Sequence, residues 1–270
     1  MSSGIRVYPL SLGELTNDVG LPLYLGGLAM PSDPEHAAAM CTQSMSAYVI
    51  EHPKAGPILF DTGVAPEREG LWPKESIELA SPSLYEPEHR LDNALNAAGF
   101  ELSDIKAVVI SHLHMDHGGG LEFFRGTNVP VFVHETELKN AFYNVATGED
   151  FGPYLPHYID PTFNWVPIHG AKWDLFQGIT LYQMSGHAHG LLVLRAELRN
   201  HGHWIFASDQ FPLRRNYEEP IPQGWIMRDH PGWWRSWRFT KSLEQRFDAR
   251  IVFGHDKDEF AKICSQRFYD

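Results

Sequence analysis

Cysteine is almost missing from the chain: Cys41 and Cys264 are the two in 270 residues. They are too few for a disulfide framework and too far apart for a cysteine zinc site, so a reducing compartment is expected. Positive charge is also scarce, with 22 lysines and arginines against 34 aspartates and glutamates and a formal net charge of −12. Such a field repels phosphate backbones and anionic membranes, and neither nucleic acid nor a membrane is an expected partner. No run is long and apolar enough to span a bilayer, and Met1 to Val7 lacks the basic start and apolar core of a signal peptide. A cytoplasmic location is the expectation. Repeats, low-complexity stretches and sharp composition shifts are lacking too, so the chain is read as a single domain over residues 1–270.

What the chain has in quantity is histidine, 15 residues, together with 16 Phe, 10 Tyr and 8 Trp. Number alone does not make a metal site; position does. Short apolar runs recur that end in a polar residue. Pro57 to Phe60 leads into Asp61-Thr62-Gly63, Ile105 to Ile110 into Ser111-His112, and Ile179 to Met184 into Ser185-Gly186-His187. His203 to Ala207 leads into Ser208-Asp209, and Ile251 to Phe253 into Gly254-His255. Length and β-branched or aromatic content make each a buried strand. In α/β sheets, ligands bind where strand ends feed into loops, so these ends are expected to build one site. Leu91, Ala94, Leu95 and Ala98 follow a helical spacing that Gly99 stops. Leu121 to Phe124 reads as a short helix and Val129 to Val133 as a strand. From Glu135 to about Asp174 the pattern predicts a helix and then a long loop over the site. Trp225 to Trp237 has similarly poor periodicity, and Trp233, Trp234 and Trp237 are read as packing, with a pocket-wall role provisional.

The most informative segment is His112-Leu113-His114-Met115-Asp116-His117-Gly118-Gly119-Gly120. Imidazole nitrogen and carboxylate oxygen are the ligands that zinc and similar metals favour. Alternation puts His112 and His114 on one side of an extended segment, able to grip one ion, while Asp116 and His117 turn toward a second. A lone histidine at a strand end is ordinary polar chemistry; the set carries the specificity.

This segment resembles the ligand motif of the metallo-β-lactamase superfamily, and within it that of N-acyl homoserine lactonases and related lactone hydrolases. Leu59 to Gly63 resembles the aspartate motif that precedes it. Gly186-His187, Ser208-Asp209 and Gly254-His255-Asp256 resemble the later ligand turns in order. The resemblance implies an α/β fold, an αβ/βα four-layer sandwich of two mixed β-sheets with helices outside. It implies that His112, His114 and His187 hold one metal and that Asp116, His117 and His255 hold the other. Asp209 would bridge them, with Asp61 behind the ligands. Two Zn²⁺ per chain are implied, other divalent metals being possible. His187 is preferred to His189 because it directly follows the glycine. His157, His169, His201, His203 and His230 are expected outside the ligand set.

The chemistry implied is hydrolysis of a ring ester by a hydroxide held between the metals, with Asp116 positioning it and passing a proton to the leaving group. Relatives in this group present a tyrosine soon after the bridging aspartate; here Asp209-Gln210-Phe211-Pro212-Leu213 intervenes, and Tyr217 is the nearest candidate to hydrogen-bond the substrate carbonyl. Leu25, Leu28 and Met30 are candidates for an apolar substrate pocket, core packing being the alternative. A small-molecule lactone, apolar or acylated, is the expected partner, on a monomer or homodimer. The same ligands would also serve lactam, cyclic carbamate or thioester hydrolysis. A phosphodiesterase is disfavoured by the acidic charge, a redox di-iron protein by His114 where such proteins carry glutamate, and a metal-binding protein without catalysis by the unbroken ligand set.

Overall fold

The computed structural model describes residues 4–24, 26, 29–32, 34–35, 39–80, 82–150 and 152–270. Its strands in chain order are β1 (Arg6–Asp18), β2 (Met40–His52), β3 (Gly56–Phe60), β4 (Pro82–Leu84), β5 (Ala107–Val109), β6 (Val131–His134), β7 (Trp165–Ile168), β8 (Lys172–Phe176), β9 (Ile179–Gln183), β10 (Leu192–Leu198), β11 (Gly202–Ser208) and β12 (Arg250–Phe253). They form a seven-stranded sheet, β4-β1-β2-β3-β5-β6-β7, and a five-stranded sheet, β12-β11-β10-β9-β8. Both are mixed: β3, β5, β6 and β7 run parallel, as do β11 and β12, while the other pairings are antiparallel.

Packing of the two faces of each sheet explains the layers. Ile5, Val7, Ile50, Ile58 and Phe60 meet Leu181, Leu194, Trp204 and Phe206 in the space between the sheets. The other face of the first sheet, with Leu10, Leu59 and Val108, packs on Leu91 and Leu95 of the helix Leu91–Ala98. On the far side, Val193 and Ile205 meet Leu243 of the helix His230–Phe247. The expected αβ/βα sandwich is therefore present.

Sequence pattern and structure part company in three places. The long strands β1 and β2 are absent from the strands expected above. Tyr8, Leu10 and Leu12 alternate correctly, but the register then shifts: Ser11 and Glu14 pair with Ser46 and Ser44, so three steps on β1 meet two on β2. This bulge moves the next core residue to Leu15 and breaks the period of two. The stretch after the helix Glu135–Thr147 is a loop only as far as β7 and β8. Trp225 to Trp237 contains the start of an 18-residue helix. Its opening is capped by Asp229, which accepts from Gly232 N, and Pro231 sits in the first turn. Trp233 is fully buried, consistent with packing.

The ends of β3 and β5 are welded before any ligand enters. Thr62 donates from both its backbone N (2.8 Å) and Oγ1 (2.6 Å) to the carbonyl of His117, and Gly120 N donates to Gly63 O at 2.9 Å. The loops come so close that a Cβ on Gly120 would stand 2.1 Å from Thr62 O, and one on Gly119 2.6 Å from Ala65 N. Only glycine permits this backbone approach. Gly120→Ala is expected to cost about 2 kcal/mol or more through overpacking against rigid backbone. A denaturation midpoint unchanged from the parent would contradict this.

Candidate metal centre

Two residues at the strand ends hold unusual backbone geometry. Asp61 after β3 and Ser208 at the end of β11 are non-glycine residues with φ of 61° and 47°. Left-handed conformations of this kind persist where surroundings over-determine them. Here they aim both side chains at the segment that follows β5. Asp61 Oδ1 accepts from Ser111 N at 2.7 Å, and Oδ2 accepts from Ser111 Oγ at 2.8 Å. Ser208 Oγ donates to Ser111 Oγ at 2.8 Å.

Around this support His112, His114, His117, His187, His255 and Asp209 are all buried, while Asp116 is half-buried. Three groups of donor atoms have spacing suited to a metal ion: His112 with His114 and His187, His112 with His117 and Asp209, and Asp116 with His117 and His255. Asp209 spans the whole set. Its Oδ1 is 2.9 Å from His255 Nε2 and 3.1 Å from His117 Nε2, and its Oδ2 is 3.5 Å from His187 Nε2.

The outer ring nitrogens are taken by other groups. His117 Nδ1 is 2.9 Å from Asp61 Oδ2, His187 Nδ1 is 2.7 Å from Gln223 Oε1, His255 Nδ1 is 2.8 Å from the Ser44 carbonyl, and His112 Nδ1 is 3.0 Å from Ser111 Oγ. Each partner can accept an Nδ1–H, which leaves an Nε2 lone pair pointing inward. His112 Nε2 has no hydrogen-bond partner. His117 Nε2 and His255 Nε2 face each other at 3.3 Å, and His187 Nε2 faces His114 Nδ1 at 2.8 Å. Imidazoles converging lone pair on lone pair fit a cation between them, so the donor set suits a divalent metal.

Electrostatics agree. Burial lowers His112 and His114 well below the ordinary imidazole range, with neighbouring imidazoles adding to the effect. Burial also lowers His187. It opposes charge on His117 and His255 as well, yet Asp209 and Asp116, joined by Asp61 for His117, outweigh it and raise both. Asp209 is held well below the carboxylate range: burial alone would raise it, but His255, His117 and His187 prevail.

Glu137, fully buried on the helix Glu135–Thr147, braces the loops from behind. Its Oε1 accepts from Leu113 N (2.9 Å) and Tyr154 Oη (3.1 Å), and its Oε2 from Gly190 N (3.2 Å). Glu137, Gln223 and Ser44 are not legible in the sequence because none belongs to a motif, and an acid in the first turn of a helix is ordinary until its burial is seen.

Beside the cluster lies a cavity of ≈ 570 Å³, its open mouth included. Leu15, Leu21, Leu79, Met115 and Ile226 form much of its wall. Tyr217 is not in it, which corrects the role expected of that side chain. Its hydroxyl donates to Glu244 Oε2 at 2.8 Å, its ring packs on Phe211, and Lys241 Nζ sits over the ring. Met30 is exposed and does not line the cavity, whereas Leu25 and Leu28 lie outside the described residues. His189, His169 and His230 are exposed, and His157, His201 and His203 lie outside the three donor groups.

Gln223→Leu removes the acceptor that orients His187, and zinc affinity is expected to fall about ten- to a hundredfold with the fold retained. Competition with a chelating dye measures this, and unchanged affinity would contradict it. In metal-free protein, pairing of His117 and His255 with the carboxylates stabilises the fold fully below the ordinary imidazole pKa of 6.5 and is lost as pH rises through the raised values. A cation must displace those protons near neutrality. Zinc uptake should therefore release protons and weaken on acidification, measurable by calorimetry in buffers of different ionisation enthalpy. Uptake without proton release is the contrary result.

Comparison with known proteins agrees with this geometry. The profile of the metallo-beta-lactamase superfamily matches residues 44–255. The chain is 29% identical over 279 residues to an N-acyl homoserine lactonase of Agrobacterium fabrum, covering 99% of this chain and all of that one. It is 30% identical over 279 residues, with the same coverage, to one of Rhizobium rhizogenes. A solved N-acyl homoserine lactone hydrolase, with the product N-hexanoyl-L-homoserine at its catalytic metal centre, superposes with a TM-score of 0.80 at 25% identity, over 97% of both chains. The chain belongs to the metallo-β-lactamase superfamily and is a metal-dependent hydrolase of that fold.

Proposed function

We propose that the chain is a two-zinc lactonase that opens the ring ester of N-acyl homoserine lactones. Full-length similarity to lactonases supports the substrate class. The observation that carries the reading is Asp209, whose two oxygens reach imidazoles of both halves of the cluster. In this reading His112, His114 and His187 hold one ion, Asp116, His117 and His255 the other, and Asp209 both. When bound, the pair supplies a hydroxide nucleophile at neutral pH and polarises a carbonyl oxygen.

The side chains do the rest. Apolar walls seat the hydrocarbon part of a neutral substrate and exclude water from the cluster. Asp116 lines the cavity, its Oδ2 3.5 Å from His255 Nε2 and 3.8 Å from His117 Nε2. It is the cluster's most accessible carboxylate and is placed to hold a proton and deliver it to the departing ring oxygen. The acyl C–O bond breaks, one water is consumed, and the product is a hydroxy acid. Lactam, thioester and phosphodiester hydrolysis have no comparable support among the relatives.

Acid release in weak buffer tests the proposal, using zinc-loaded protein with acyl homoserine lactones, simple lactones, lactams, thioesters and a phosphodiester. Turnover of ring esters is expected, and abolition of both bound metal and rate in His112→Ala and Asp209→Ala. Silence toward every lactone with turnover of another bond, or full metal and rate in Asp209→Ala, would overturn it.

A further inference from the structure

Apart from the metal cluster itself, the cavity wall among the described residues is apolar except for two neutral amides, Asn17 and Gln43. Strand pairing puts them there. Leu15 lies opposite Gln43 and Asn17 opposite Cys41 across β1 and β2, so the period of two turns Leu15, Asn17 and Gln43 to one face. That face is tied to the cluster by the next residue, since Ser44 N donates to His255 O at 3.1 Å and the Ser44 carbonyl faces His255 Nδ1 at 2.8 Å. The amide pair is thus held in register with a metal-site histidine.

Gln43 Nε2 donates to Asn17 Oδ1 at 2.8 Å, and this is the single side-chain hydrogen bond of either residue among the described residues. Gln43 is only 3% exposed. A primary amide carries two N–H donors and a carbonyl with two lone pairs. Among the described residues the Gln43 carbonyl, one Gln43 N–H and both Asn17 N–H groups have no side-chain partner, which leaves them open to a polar group of a ligand in the cavity. On the opposite face of the same strands, Thr16 and Thr42 pair in an exposed position, so closing the strand ends does not require amides facing the cavity.

We infer that Asn17 and Gln43 form the subsite for a secondary amide of the substrate, and so select acylated amino-lactones over plain alkyl lactones. The Gln43 carbonyl accepts the amide N–H, while the free N–H groups of the pair donate to the amide carbonyl. The inference rests on the lactonase reading and deepens it. A site built to hydrogen-bond a polar group rejects analogues that lack it more strongly than an apolar pocket rejects a methylene.

The test compares kcat/KM of the zinc-loaded full chain for N-hexanoyl homoserine lactone, its O-hexanoyl ester analogue, and a γ-butyrolactone with an α-alkyl chain of equal length. The wild type is expected to prefer the amide substrate by about tenfold or more over each, and Gln43→Leu and Asn17→Leu each to erase about tenfold of that preference, chiefly through KM. Equal losses on all three substrates would make the pair merely structural, and unchanged preference would remove it from recognition; either overturns the inference. If neither variant folds, the wild-type comparison decides alone: amide and ester substrates turned over equally well refute the subsite. A wild type inactive on all three lactones sinks the lactonase reading and the subsite with it, a failure distinct from active but indifferent enzyme.

Discussion

A carboxylate buried among imidazoles is the constraint from which the site follows. Asp209 lies away from water, where an isolated anion is very costly, and it is tolerable because three histidine nitrogens stand within 3.5 Å of its oxygens. Those histidines are themselves buried, and because acceptors behind them hold the Nδ1 protons each Nε2 faces inward, able to carry a proton toward Asp209 without metal or a lone pair toward a cation. Anion, imidazoles and acceptors form a set in which removing one leaves another buried group unpaired. A cation at the centre satisfies every member together, which couples metal uptake to the integrity of the loops.

The outer partners come from distant parts of the chain. Asp61 follows β3, Ser44 belongs to β2, and Gln223 lies on the loop before the helix His230–Phe247. Their convergence is a product of the two-sheet architecture, since each sheet delivers strand ends to the same edge. The far ends of β1 and β2 then carry this sheet into the cavity wall. Donor cluster and cavity wall are thus parts of one hydrogen-bonded edge, joined where Ser44 grips His255.

Much of this was legible without coordinates. The run from His112 to His117 declares a metal site by residue type and spacing, and the strand-end polar residues announce where it forms. The four-layer architecture followed from the resemblance that those motifs carry. Illegible features have specific causes. The bulge near Gly13 hides β1 from a search for alternation, and Pro231-Gly232 with its tryptophans hides a helix start. Tyr217 lies a few residues beyond Asp209 in sequence, but the short helix Arg214–Glu218 carries its hydroxyl to Glu244.

By itself the sequence determined the local chemistry: which side chains can ligate, which strands end beside them, and that the chain is acidic and poor in cysteine. Those properties depend on residue type and short spacing, which the chain carries at any conformation. Only the tertiary structure decided what stands behind each donor and what faces the cavity. Gln223, Ser44 and Glu137 orient the site, and Asn17 and Gln43 face its cavity, through contacts between residues far apart in the chain. Such contacts leave no periodic trace, because strand register and loop packing create them rather than neighbouring residues.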